Sequence, residues 1–221
     1  MSLHRVAIEK SRTALVFIEF QSEWLAEDGV LFQRLIKDKE AFRAAVSKAE
    51  FVLDAARMKG WNIAHAGLDL RDDPTYRLFA GGKDALGLRA AIPHAGTWTG
   101  NGAAFFPPFV PLSGEFVSHG RSGASVLKNS NLDAFLRNNR IDTIILMGFA
   151  THVCVESTLR EAHDSGLNVY VVTDACAAFT RVQDDYFSQH IIHHFGVGIT
   201  STSLVEHLMN DRNNRSAACT A

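Results

Sequence analysis

The runs Thr13-Ala14-Leu15-Val16-Phe17-Ile18 and Thr143-Ile144-Ile145-Leu146-Met147 are apolar along their whole length. A strand without a polar face is stable only when covered on both sides, as in a parallel sheet between helices. The intervening segments supply such helices. From Lys39 to Lys59 the residues Phe42, Val46, Ala49, Leu53 and Ala56 recur at steps of three and four, and Gly60 follows as a C-cap. Trp61 to Ala66, Glu115 to His119, Asn168 to Thr173 and Val197 to Thr200 read as further strands. Helices are expected over Leu132 to Asn139, begun at Asn131 or Ser130, over Thr151 to Ser165 with a stop at Gly166, and over Asp184 to His194. This alternation predicts an α/β fold with a central, mostly parallel sheet and helices on both faces.

All five prolines, with Gly81-Gly82 and Gly96-Thr97-Trp98-Thr99-Gly100, lie between Gly67 and Pro111. That stretch is expected to be a long irregular excursion holding one short helix, of the kind that builds binding sites. No Pro/Ser-rich linker divides the 221 residues, so a single domain over 1–221 is expected, with a frayed tail from Asp211 to Ala221.

With 22 Lys plus Arg against 24 Asp plus Glu, the chain has a formal charge of −2 and no basic run. Nucleic acid is therefore not an expected partner. Met1-Ser2-Leu3 is followed by the polar His4 to Arg12 without an apolar signal core, and the longest apolar runs are strand-length. No membrane contact and a cytoplasmic location are expected. Three cysteines, Cys154, Cys176 and Cys219, fit a reducing compartment better than a disulfide framework.

In an open parallel sheet, ligands bind at the carboxyl ends of the strands. The positions to inspect are then Glu19, His65 to Asp69, Arg121, Gly148 to Cys154 and Asp174. Cys154 lies in the first turn of the helix after Thr143 to Met147. With Thr151 as N-cap, the exposed N–H groups and helix dipole there would lower a thiol's pKa and could hold an oxyanion. A small buried hydrophobe is the plain alternative.

Gly148-Phe149-Ala150-Thr151-His152-Val153-Cys154-Val155-Glu156-Ser157-Thr158 resembles the G-x-x-T-x-x-C-V-x-x-T segment of the isochorismatase-like cysteine hydrolases. That superfamily includes nicotinamidases, carbamoylsarcosine amidohydrolase and ureidoacrylate amidohydrolase. The likeness covers most of the chain. Ala14 to Gln21 is similar to the opening strand with its acidic-x-Gln end, Ser125 to Leu132 to the S-A-F-x-x-T-x-L segment, and Val171 to Ala175 to the strand after the nucleophile helix. The resemblance implies a three-layer α/β/α sandwich and homo-oligomers. It also implies a cofactor-free triad of Asp, Lys and Cys acting on a small molecule. The nicotinamidase members carry an Asp and His cluster for a metal after the second strand, but here His65 and Asp69 stand without the further histidines, so no metal is expected.

Carried over by position, Cys154 is the nucleophile, Glu19 stands for the Asp and Arg121 for the Lys. Glu reaches one methylene further, and Arg is a planar, permanently charged fork that supports charge but donates no proton. An unpaired Glu19 at a buried strand end would be costly, so Arg121 is its expected partner. Lys128 is a weaker substitute cation. The resemblance further implies an oxyanion hole from the N–H groups of Ala150 and Cys154, aimed by a cis Phe149-Ala150 peptide.

Phe20, Trp24, His65, Asp69, Trp98 and Phe149 are candidate pocket walls, with His94, Phe105 and Phe106 beside them. His190, His193 and His194 lack an H-E-x-x-H signature and do not follow a strand, so they are not read as a metal site. Asp174 is expected to cap a helix. The run Phe105 to Val110 would expose an apolar patch for oligomer contact unless it packs internally. The expected activity is hydrolysis of a C–N bond in a small amide, carbamoyl or ureido compound through a thioester-type intermediate. The alternatives are a divergent member that binds without hydrolysing, and a vinyl ether hydrolase of the isochorismate type, which works without a cysteine nucleophile.

Overall fold

The six strands form one parallel sheet in the order β3-β2-β1-β4-β5-β6. The computed structural model describes residues 8–79 and 85–210. Gly81-Gly82, Cys219, the tail from Asp211 and the first residues of the N-terminal segment lie outside them. In chain order the elements are β1 (Thr13–Ile18), α1 (Ser22–Leu25), α2 (Val30–Leu35), α3 (Lys39–Lys59), β2 (Asn62–Ala66), α4 (Leu88–Ala95), β3 (Phe116–Val117), α5 (Leu132–Asn138) and β4 (Thr143–Phe149). A π-turn (Thr151–Val155) leads into α6 (Glu156–Asp164), followed by β5 (Asn168–Ala177), α7 (Arg181–Tyr186), α8 (Ile192–Phe195), β6 (Val197–Ile199) and α9 (Ser201–Asn210). Among the described residues no helix is long and apolar enough to cross a membrane.

Every residue of β1 is buried, because β1 is central, paired in parallel with β2 (Val16 opposite Ala64) and β4 (Val16 opposite Leu146). Helix α3 lays its buried face, including Phe42, Ala49, Val52 and Leu53, over β5 and beside α9. Asp38 caps its start by accepting from the Ala41 N–H at 2.9 Å, and Gly60 ends it in the left-handed region at φ 63°. Gly148 in β4 is held to glycine more strictly: its φ is +129° and an added Cβ would stand 2.1 Å from the Ile18 carbonyl oxygen.

The structure differs from the sequence reading at element ends. Strand β4 runs two residues further, to Phe149, and β5 runs to Ala177 behind an irregular register after Leu146. Asp174 therefore sits inside a strand, where its carboxylate accepts from the Ser201 N–H and hydroxyl at 2.7 Å each and so caps α9. The helix expected from Asp184 starts at Arg181, behind a capping box of Thr180 and Gln183. Within the Phe105 to Val110 run Phe109 alone is fully buried, its ring 4.1 Å from that of Phe20, while Phe105 and Phe106 are half-buried and Val110 is exposed. The run packs internally in part.

A buried charge cluster ties the excursion to the sheet. His65, fully buried in β2, bonds Glu115 at 2.7 Å, and Arg57 of α3 donates to both Glu115 oxygens at 2.7 and 3.0 Å. Burial works against the Glu115 charge, yet Arg57, the Leu112 N–H and His65 overcome it and hold the carboxyl at about 2, against an ordinary 4.5. A depressed carboxyl stabilises the fold above its unfolded value and loses that contribution as pH falls toward its folded value. The urea midpoint is thus expected to drop between pH 4.5 and 2, with a shallower drop in Glu115→Gln. Parallel curves for the two proteins would remove Glu115 as the cause.

Candidate active site

The site forms where the strand order reverses, between β1 and β4. The residue after β1 is Glu19, with φ 58°, its N–H donated to Ala66 O at 3.0 Å and its carboxylate 2% exposed. The residues after β4 are Ala150 and the π-turn that carries Cys154. Ala150 rather than Thr151 occupies the cap position, so Thr151 is the first helical residue and not the N-cap. The Phe149-Ala150 peptide is cis.

Arg121 arrives from the segment beyond β3 and joins the other two. Its Nη1 donates to Glu19 Oε1 at 2.6 Å and its Nη2 to Cys154 Sγ at 3.2 Å. Its Nε and Nη2 also donate to the Gly123 and Ala124 carbonyls at 2.8 and 2.6 Å, which fixes the plane of the guanidinium. The Cys154 thiol donates to Glu19 Oε1 at 3.0 Å. The second Glu19 oxygen accepts from the Trp24 indole N–H at 2.8 Å. Three donors thus surround one buried carboxylate. The Thr158 hydroxyl donates to Cys154 O at 2.7 Å and accepts from the Val126 N–H at 3.0 Å, which ties the helix after Cys154 to the Arg121 segment. Lys128 is exposed and takes no part.

The expected lowering of the Cys154 pKa does not occur in this resting arrangement. Burial and the Glu19 charge push the thiol up to about 12, and Arg121 opposes them without prevailing. Arg121 itself is held above its ordinary value: burial disfavours its charge, but Glu19 and Cys154 outweigh it. The resting state is a neutral thiol hydrogen-bonded to a carboxylate clamped by a guanidinium. Cys176 is also buried, and desolvation raises its pKa as well.

A cavity of about 260 Å³ opens onto Cys154, Glu19 and Arg121. Helix α2 contributes Leu31, Arg34 and Leu35 to its wall, α4 contributes Leu88, Ala91, Ile92, His94 and Ala95, and Phe79, Thr97, Trp98, Val153 and Phe179 complete most of the rest. Of the six walls expected first from sequence, Trp24 and Trp98 line it, as does His94 beside them. Four do not. Phe20 and Phe149 are fully buried behind it with rings 4.9 Å apart, because a long apolar side chain at a strand end packs into the core before it reaches solvent. His65 is consumed by Glu115, and Asp69 pairs with Arg71 outside the cavity. Sequence reasoning missed α2, Thr97 and Phe179. The apolar spacing of Leu88, Ala91, Ile92 and Ala95 was a usable signal for α4, whereas nothing local marks Phe179.

A parallel α/β sheet brings a buried cysteine, carboxylate and guanidinium into mutual contact at its switch point, an arrangement in which a thiol can act as a nucleophile. Residues 13–203 match the sequence model of the isochorismatase domain, and the chain belongs to the isochorismatase family of hydrolases. An uncharacterized isochorismatase family protein, YwoC of Bacillus subtilis, is 27% identical over 207 residues, 92% of this chain and 98% of that one. The ureidoacrylate amidohydrolase RutB of Stutzerimonas stutzeri is 27% identical over 183 residues, 77% of this chain and 71% of that one. In structure, a cysteine hydrolase from Pseudomonas syringae pv. phaseolicola superposes with a TM-score of 0.78 at 23% identity, covering 94% of this chain and 98% of that chain.

Proposed function

We propose that this protein hydrolyses a C–N bond of a small amide, carbamoyl or ureido compound through a thioester-type intermediate on Cys154. The observation that carries the reading is the triangle of contacts joining Cys154 Sγ, Glu19 Oε1 and the Arg121 fork. The amidohydrolase activity named for the RutB relative supports the choice of bond.

The steps follow from the geometry. Glu19 takes the thiol proton as Sγ attacks the carbonyl carbon, which avoids a free thiolate in a site that disfavours one. Arg121 keeps contact with both sulfur and carboxylate, so the charge moving from oxygen to sulfur stays beside the same cation. The carbonyl oxygen, now negative, is stabilised by the N–H groups of Ala150 and Cys154. The protonated Glu19 returns its proton to the nitrogen, the C–N bond breaks, and ammonia or an amine leaves an acyl group on sulfur. Water then attacks the thioester, Glu19 accepting its proton. Collapse releases the acid, and Glu19 gives the proton back to sulfur.

The test is release of ammonia or amine from a panel of primary amides, N-carbamoyl acids and ureido acids, with mass spectrometry of the Cys154 peptide after rapid quenching. Wild type is expected to turn over one class and to carry an acyl group on Cys154. Cys154→Ala is expected to do neither, and turnover persisting in that variant would end the proposal.

A further inference from the structure

The cavity wall is short of hydrogen-bond acceptors. Among the described side chains that line it, an oxygen or a ring nitrogen able to accept is carried by Glu19, His94 and Thr97 alone. None of them is free beside the reacting bond. Both Glu19 oxygens are engaged, one by Arg121 and Cys154 and the other by Trp24. The Thr97 hydroxyl is closed off from the cavity, and His94, like Arg34, is exposed and so stands at the mouth, away from the buried triad. Neighbouring carbonyls are occupied as well. Those of Gly123 and Ala124 accept from Arg121 at 2.8 and 2.6 Å, that of Thr97 from the Tyr76 hydroxyl at 2.8 Å, and that of Phe179 from the Lys37 N–H at 3.1 Å. What the wall offers instead is apolar surface, from Leu35, Leu68, Phe79, Ile92 and Phe179.

We infer that the substrate is a carboxamide whose acyl group is compact and apolar, and that ureido and N-carbamoyl compounds are selected against. The atom beside the reacting carbonyl makes the difference. In a carboxamide it is carbon, and each methylene that leaves water for these walls gains about fourfold in affinity. In a ureido or N-carbamoyl compound it is a nitrogen bearing hydrogen, which gives up its water partners and meets no acceptor. Such an unpaired N–H loses about ten- to hundredfold. A cavity of about 260 Å³ is below the usual range of about 300–1,000 Å³ for drug-sized ligands, so the acyl group is a single ring or a short branched chain. Arg34 and His94 act at the mouth, on whatever the far end of that group carries, and leave the selection at the carbonyl unchanged. This inference rests on the C–N hydrolysis reading and chooses among its substrate classes.

Isocaproamide and isobutylurea differ only in a methylene or an N–H beside the carbonyl. Calorimetry on Cys154→Ala gives Kd for both without turnover, so the lower reactivity of the urea carbonyl does not enter. The amide is expected to bind about ten- to hundredfold tighter. Ammonia release by the wild type gives kcat/KM for propanamide, butanamide and isocaproamide, which is expected to rise about fourfold per added carbon. In Leu35→Ala and in Ile92→Ala, on two different helices of the wall, that rise is expected to flatten. Being a ratio within one protein, it is independent of how much of each variant folds.

Ammonia release with equal binding of the pair, or turnover of ureido compounds in place of these amides, would overturn the inference and leave C–N hydrolysis standing. A rate that does not rise along the series, or a rise untouched in both wall variants, would do the same. Tighter binding of isocaproamide without ammonia release from any of the amides would overturn the hydrolase reading of these amides and support the selection by the walls. Failure of the pair to bind and of the series to react overturns the inference.

Discussion

Glu19→Gln is expected to lower kcat/KM by about 10²–10⁴-fold, the usual worth of a positioned general base, while making Cys154 more acidic. The two effects have one origin. The Glu19 charge is, after burial, the largest influence holding the thiol at about 12, and with it gone the pull of Arg121 remains. A more acidic nucleophile would then accompany a slower enzyme, because the acceptor of the thiol proton and donor to the leaving nitrogen has been removed. The rate of Cys154 alkylation by iodoacetamide across pH, read by peptide mass spectrometry with the buried Cys176 as internal control, gives the first quantity. Turnover of the amide found in the panel gives the second. Unchanged turnover would remove Glu19 as the base, and an unmoved alkylation profile would remove its charge as the cause of the raised thiol.

Arg121→Met is expected to destabilise the fold by about 3–5 kcal/mol, because it leaves the buried Glu19 carboxylate without its counter-charge. Solvent does not compensate at a residue that is 2% exposed. Adding Glu19→Gln to Arg121→Met is expected to recover part of the loss, since the uncompensated charge and not the missing methylenes carries most of the cost. Urea midpoints of the wild type, two single variants and the double variant form the cycle. A single-variant midpoint equal to wild type, or strictly additive losses, would overturn this account. Arg121→Lys is expected to fall between. One ammonium must replace three nitrogens that together reach Glu19, Cys154, Gly123 and Ala124.

Much of the fold was legible in the residues. The all-apolar Thr13–Ile18 could be stable only as an interior strand, and it is the centre of the sheet. Helix α3 was readable from its period and from Gly60, which ends it at positive φ. The short helices α1 and α2 were not. Four to six residues carry little periodicity, and these helices are held by their neighbours more than by their own propensity. The strand extensions to Phe149 and Ala177 were invisible for a related reason: the pairing of Gly148 with Cys176 across an irregular register depends on two segments far apart in the chain.

The positions of Glu19, Arg121 and Cys154 followed from strand ends and motif spacing, because parallel topology sends the residue after each strand to the same edge. The protonation of Cys154 did not follow. A helix start argues for an acidic thiol, but burial beside a carboxylate reverses the sign, and burial is a property of the packed whole. The same distinction separates Trp98 from Phe20. Both are loop aromatics in sequence, yet only one faces the cavity, since which side of the chain is filled by core depends on what arrives from elsewhere. Sequence by itself determined which residues lie at the sheet edge and what chemistry their types permit, because those follow from local periodicity and chain order. Tertiary structure alone decided which of them touch and which are desolvated, because contact and burial are set jointly by segments that are remote in sequence.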